Sequence, residues 1–386
     1  YKAKKRLNYP CYCKSLIFIS SNKKIKSLLI SIDAIWASNF LSKNLRKKLS
    51  DLYSLKVKDI VLSATHTHGT PNPDKKIIMK PYSEDFEKHL INTILSCVKE
   101  GMKKVAISCN TSFKRSTSNE LAINRRRKAL KFKPFINYSM QNLPNFKKNK
   151  INFIDLIEFK EKKNNKLTFL IVKFSCHPVV ASKDSIGDDY PGLIQSYLNN
   201  YCKNTIFLQG FAGDIRPKLI NNDTSWKDKT INFLIGKRFR LPHKEDLKIF
   251  SKKLAKIILK NNSQIAIDLN NEYFKSKEIC ISPTLETNIK ADLDLNITFW
   301  KLDKVVLIFV NAEVLSGFDI NEIENKKVIC IGYSNGMIGY LPTSKDLHQG
   351  GYEVDKSRLK FNLPKRMKDS FVMDVQKQIT YVLKNI

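Results

Sequence analysis

Three histidines and one glutamate stand where strand-like segments run out. Ile60-Val61-Leu62-Ser63-Ala64-Thr65 leads into His66-Thr67-His68-Gly69, the stretch from Phe169 to Cys176 leads into His177-Pro178, and Val305 to Asn311 leads into Ala312-Glu313. Strand ends that open into loops are where an α/β scaffold places reactive groups. Two or three imidazoles with one carboxylate form the ligand set of a catalytic zinc that keeps a position open. On an extended segment the rings of an H-x-H pair share a face about 6–7 Å apart, so both can address one ion and its water. An isolated H-x-H is more often a pair of surface or core histidines. The addition of His177 and Glu313 at equivalent strand ends turns this one toward a metal.

Three glycine-bearing segments follow or lie beyond strands: Gln209-Gly210-Phe211-Ala212-Gly213-Asp214-Ile215-Arg216-Pro217, Gly332 to Pro342, and Gly350-Gly351-Tyr352-Glu353. Each could be an ordinary tight turn. Glycine also lets the backbone approach a ligand or take positive φ, and the three together with the histidines make a pattern.

That pattern resembles the catalytic domain of the neutral/alkaline, non-lysosomal ceramidases. The matching segments, in order, are Ala64-Thr65-His66-Thr67-His68, Ile123-Asn124-Arg125-Arg126, Phe174-Ser175-Cys176-His177-Pro178, Gly210 to Pro217, Ala312-Glu313 and Asn335 to Glu353. The resemblance implies a zinc amidase with a mixed α/β catalytic domain. Carried over by position, the zinc ligands are His66, His177, Glu313 and Tyr352, and His68 sits beside the zinc-bound water and the scissile carbonyl. Arg125 matches the arginine of the family's Asn-Arg element near the active site. Tyr340 is a candidate for polarising the carbonyl, with a structural tyrosine as the other reading. Asp33, in the segment Ser15 to Trp36 that resembles the family's early strand, turn and strand, is expected to be structural.

The sequence departs from the family at Arg216, which occupies the place of the serine in the ceramidase Gly-Asp-x-Ser-Pro loop. Hydrolysis by activated water does not need that serine. An arginine facing the metal would favour an anionic substrate carrying a carboxylate or phosphate, unless Arg216 pairs with Asp214 or another carboxylate. Because one amphipathic helix follows Glu353 before the sequence ends, the resemblance is expected to be to the shorter bacterial relatives rather than to the long ceramidases with their immunoglobulin-like C-terminal domain. It opens at Tyr1 inside the domain, so the N-terminus is expected to be incomplete.

The elements that must position these groups alternate along the chain. Strands are expected at Lys26 to Ile32, Lys58 to Ala64, Lys103 to Cys109, Ile151 to Phe159, Leu167 to Cys176, Thr205 to Gln209, Asp294 to Trp300, Lys304 to Val310 and Lys327 to Gly332. Helices are expected at Ala37 to Leu52, Ser83 to Val98, Pro191 to Tyr201, Lys244 to Lys260 and Lys368 to Leu383. The alternation argues for an α/β fold of mixed sheets with flanking helices in one large catalytic domain, 1–386. The polar stretches Lys128 to Lys150 and Asn221 to Leu241 read as surface insertions or substrate-side loops. Asp188 and Asp189 before Tyr190-Pro191 read as a helix N-cap, and His89, His243 and His348 as surface residues.

Composition narrows the function class. With 42% hydrophobic and 10% aromatic residues the chain can bury a core, which excludes disorder. Its longest apolar runs fall far short of the roughly 18 residues of a membrane span. The charge is extreme, with 68 Lys and Arg against 36 Asp and Glu, a formal +32. Lysine dominates and is scattered, which reads as a solvated surface and allows peripheral contact with an anionic membrane; nucleic acid is disfavoured. Eight dispersed cysteines without a C-x-x-C pair lean toward a reducing, cytoplasmic setting, and a missing leader would make a secreted or periplasmic one open.

Together these features predict a zinc-dependent hydrolase that cleaves an amide (N-acyl) bond in a small-molecule or lipid substrate. The alternatives are a zinc esterase or deacetylase using the same residues, and a basic protein that binds nucleic acid or anionic membrane and carries a vestigial site.

Overall fold

Strands buried on both faces read as continuous apolar runs, and successive residues of such a run enter opposite layers. In Leu167–Phe174, Leu170, Val172 and Phe174 join one core cluster while Ile171 joins another. In Val305–Val310, Val306, Ile308 and Val310 face one way and Leu307 and Phe309 the other. The computed structural model describes residues 7–20, 22–131, 136–148, 152–181, 186–221, 225–260, 263–270 and 274–386.

One five-stranded sheet runs in the order Asn204–Gln209, Leu167–Phe174, Phe153–Glu161, Cys109–Thr117, Ile265–Leu269. A second runs Phe274–Ile281, Leu295–Leu302, Val305–Val310, Lys326–Ile331, Glu322–Ile323. A three-stranded sheet of Cys13–Ile19, Ile25–Ile32 and Ile60–Ala64 joins them. Each sheet mixes parallel and antiparallel pairs, as the predicted fold class requires. A shared inner core takes Leu29 and Val61 from the small sheet, Phe113, Ile157 and Ile171 from the first, and Phe309 and Ile331 from the second. Helices Asn39–Tyr53, Glu84–Met102 and Asp369–Asn385 cover one outer face; Tyr190–Leu198 and Asp246–Lys260 cover the other. The result is a sandwich of helices, sheet, sheet and helices.

A buried arginine, paired with a carboxylate of its own sheet, joins the two large sheets. Arg115 Nε meets Asp155 Oδ1 at 2.5 Å, and its terminal nitrogens donate to the carbonyls of Asn321 (2.9 Å) and Val328 (2.7 Å) across the inner core. Lys173 Nζ approaches the other Asp155 oxygen at 3.5 Å.

The long apolar elements lie within a few residues of their predicted positions. The segment Lys103 to Cys109 is not a strand: the helix continues to Met102 and the strand begins at Cys109. That strand, Cys-Asn-Thr-Ser-Phe-Lys-Arg-Ser-Thr, carries Thr111 and Arg115 on its buried face beside Phe113, so hydropathy does not reveal it. The predicted surface insertions carry regular structure among their described residues, residues 132–135, 149–150 and 222–224 lying outside them. Residues 126–142 contain the hairpin of Arg126–Lys131 with Asn137–Asn142, and Asn221 to Leu241 contains the helix Trp226–Ile235, capped by Ser225 Oγ. Residue 151, placed in a strand from sequence, lies outside the described residues. Asp189 caps Tyr190–Leu198 as expected, and His89, His243 and His348 are exposed.

Replacing Asp155 by Ala would leave Arg115 and Lys173 buried without their counter-charge, a loss of about 3–5 kcal/mol for a broken buried pair. Urea unfolding at pH 7 should register it, with Asp155→Asn losing less because one acceptor remains.

Candidate metal centre

The strand Ile60–Ala64 delivers Thr65-His66-Thr67-His68 to one end of the sandwich. Asp33, at the end of the neighbouring strand, accepts from Tyr12 N at 2.7 Å and Thr65 Oγ1 at 3.1 Å, which fixes the residue before His66. His66 itself has φ +63°, a left-handed backbone that a non-glycine residue adopts only where its surroundings hold it. Its Nδ1 lies 2.8 Å from the carbonyl of Ile35, and its ring stacks on Tyr333 at 4.0 Å. His177 follows the strand Leu167–Phe174; its backbone N–H donates to Ile215 O at 3.0 Å and its Nδ1 lies 2.9 Å from the carbonyl of Ala212.

A carbonyl oxygen can only accept, so each Nδ1 carries a proton, and in a neutral ring so held Nε2 presents a lone pair. The two Nε2 atoms face each other at 3.2 Å. Glu313 completes a triangle, with Oε2 3.5 Å from each Nε2. Both Glu313 oxygens are buried without a hydrogen-bond donor, and so is His68 Nε2. The ligand atoms of His66, His68 and His177 lie within 4.8 Å of one another, so all four side chains address one small space.

Burial holds the His68 and His177 imidazoles well below their ordinary pKa. His66, Lys80, Arg125 and Arg216 add to the effect at His68, and Arg125, His66 and His68 at His177. Both rings are therefore neutral at pH 7, the state a metal ligand requires. A tetrahedral ion with arms of 2.0–2.1 Å has ligand-to-ligand edges of about 3.3–3.4 Å, close to the observed triangle. The donor set, its lone pairs and its bare carboxylate fit a divalent metal.

Glu313 lies in a two-residue strand that pairs in parallel with Tyr340–Leu341, Glu313 opposite Tyr340. Tyr340 is 4% exposed and its hydroxyl accepts from Arg125 at 3.1 Å. Burial and Glu313 push its pKa well up, so it stays a phenol. Arg125 is held in turn by Glu353, Nε to Oε1 at 2.9 Å, and Arg126 donates to the other Glu353 oxygen at 2.6 Å. Burial alone would lower the Arg125 pKa; Tyr340 and Glu353 keep it raised. Tyr352 is half-buried, with its ring 6.0 Å from that of Tyr340 and 5.8 Å from the Arg125 guanidinium. Register thus sets Tyr340 beside Glu313.

Arg216 stacks on Phe239 at 4.8 Å, and among the described residues no carboxylate lies within ion-pair distance of it. The pairing with Asp214 does not occur, because Asp214 accepts from Asn124 Nδ2 at 2.6 Å and from Ser316 N and Oγ at 2.7 and 3.1 Å. Burial, then Arg125, lower the Arg216 pKa. Lys80 is a second half-buried cation at this end; burial brings it to about 8, and its Nζ donates to the carbonyls of His68 and of Thr70, the latter at 3.1 Å. Gly213 runs so close that a Cβ would sit 2.8 Å from Glu313 O. The sequence reading missed Lys80 and Tyr333. Nothing in the sequence flags Lys80. Tyr333 lies in a loop singled out for its glycines, shares the left-handed backbone of His66 (φ 54°), and keeps a buried hydroxyl without a partner.

The sequence matches no protein-family model and no curated protein. Solved structures do match. The neutral ceramidase from Pseudomonas aeruginosa superposes with a TM-score of 0.72 at 11% identity, over 97% of this chain and 68% of that one. A structure described as a ceramidase complexed with C2 gives 0.68 at 11% identity, over 96% and 68%. The likeness establishes a shared fold.

Metal analysis of protein reconstituted with zinc should find about one ion per chain, lost in His177→Ala and Glu313→Ala. Tyr352→Phe should loosen the metal, as read by competition with a chelator.

Proposed function

We propose that this chain is a zinc-dependent hydrolase of a linear amide, acting on an N-acyl compound that bears a negative charge. The observation that carries the reading is the triangle of two bare imidazole nitrogens and an unpartnered carboxylate, 3.2–3.5 Å on a side. His66, His177 and Glu313 hold the metal, Tyr352 is the phenol the resemblance implies as a fourth ligand, and Tyr340, opposite Glu313 in register, places a second phenol beside them. When bound, zinc supplies Lewis acidity, bringing the pKa of water to about 7 and polarising a carbonyl.

The chain's own residues do the rest. His68, neutral and with an unpartnered Nε2, takes the proton of the attacking water and returns it to the leaving amine. Arg125, fixed by Glu353 and turned toward Tyr340, donates toward the carbonyl oxygen as negative charge develops there. Tyr352, packed on Arg125 and Tyr340, borders the substrate. Arg216 and Lys80 lack an acidic partner among the described residues and face His68 electrostatically. They make the site attractive to a carboxylate or phosphate on the substrate. Ceramide, the substrate class named by the structural neighbours, carries no such charge, so an N-acyl amino acid fits these residues better.

Hydrolysis of an N-acylglycine, the matching N-acylethanolamine and its ester analogue by zinc-loaded protein tests the reading. The N-acylglycine should be preferred. His68→Ala should lower kcat by about 10²–10⁴ with metal content retained. Arg216→Gln should lower the preference for the anionic amide by about 10–100-fold, the worth of one charge-assisted hydrogen bond. Zinc-loaded protein that cleaves none of the three would refute the amidase assignment.

A further inference from the structure

Beside the candidate centre the surface turns apolar and basic at once. On the helix Trp226–Ile235, Trp226 is 84% exposed, Phe233 89% and Leu234 51%. Trp226 and Phe233 are seven residues apart and so share a helical face. The hairpin Arg126–Lys131/Asn137–Asn142 adds Leu130 and, opposite it in register, Tyr138, with Ile136 beyond, at 39%, 67% and 71% exposure. The two elements are one surface: the helix packs on the first hairpin strand, and Arg127 donates to the carbonyls of Ile235 at 2.5 Å and Lys237 at 3.2 Å.

The surrounding charge has one sign. No Asp or Glu occurs between Glu120 and Asp155, nor between Asp228 and Glu245, and Asp228 is paired with Arg238 at 2.5 Å. Lys128, Lys147, Lys229 and Lys237 are exposed.

We infer that this face docks on the surface of an anionic lipid bilayer. Exposed Trp, Phe and Tyr insert at the headgroup level while neighbouring lysines are drawn to anionic lipids. Aliphatic Leu130, Leu234 and Ile136 would find no partner on a nucleic acid, where bases stack on aromatic faces. A second copy would bring like charges together. The face adjoins the centre: the hairpin begins at Arg126, which binds Glu353, and Phe239 beneath Arg216 follows the helix. Docking therefore turns the substrate-binding end toward lipid. The inference gives the proposed hydrolase its route to acyl substrates, but vesicle binding needs no metal, so it stands or falls separately.

The test uses the full chain with vesicles of phosphatidylcholine, with and without about one third phosphatidylglycerol. Trp36 and Trp300 are 0% and 1% exposed, so a change in tryptophan emission reports Trp226. The expected result is a blue shift and co-sedimentation with the anionic vesicles alone, weakened by high salt. The variant Trp226→Ala/Phe233→Ala should bind about tenfold or more weakly, with unchanged thermal unfolding; Lys229→Glu/Lys237→Glu should do the same without touching an apolar residue. Three results would overturn the inference: no binding to anionic vesicles, binding that survives both double variants, or the Trp226 shift produced instead by an oligonucleotide or by self-association without lipid.

Discussion

Two imidazole nitrogens, each presenting a lone pair, are held 3.2 Å apart beside a carboxylate with no donor. Without a cation between them these groups repel, and burying an unpaired carboxylate costs several kcal/mol. The tautomers that create the repulsion are imposed from outside the triangle by the carbonyls of Ile35 and Ala212. The left-handed backbone at His66 is a further strained feature of the same site. An arrangement this unfavourable alone acquires a reason when a divalent ion completes it.

The scaffold brings that triangle together from distant parts of the chain. His66 leaves the three-stranded sheet, His177 leaves the first five-stranded sheet, and Glu313 follows Val305–Val310 of the second. Bridges between Ser63 and Ser334 and between Gly210 and Ile331 tie the three sheets at this end. Asp214 then joins Asn124 to the Ser316 turn, and Glu353 clamps Arg125 and Arg126. The polar network is as much a part of the architecture as the apolar core, because Arg125, Arg126 and Glu353 are buried as mutually paired charges.

Much of this was legible in the sequence, and the exceptions have physical causes. Doubly buried strands such as Leu167–Phe174 and Val305–Val310 announce themselves as apolar runs, and the candidate residues His177 and Glu313 follow them. Cys109–Thr117 stayed hidden because its inward face buries Arg115 and Thr111, which only Asp155 and the facing carbonyls make tolerable. The place of Tyr340 beside Glu313 depends on a two-residue ladder that no sequence pattern reveals. Nor does composition distinguish the lysines around Trp226 from the solvated majority; that required knowing which apolar side chains they surround.

The parallel pairing of Glu313 with Tyr340 has a mechanical consequence. Because acid and phenol ride on one ladder, backed by a glycine whose Cβ would collide with Glu313 O, a backbone shift that moves one carries the other with it. Arg216, Lys80 and Phe239 lie outside that ladder. Substitutions at those three positions would therefore leave the spacing of Glu313 and Tyr340 unchanged.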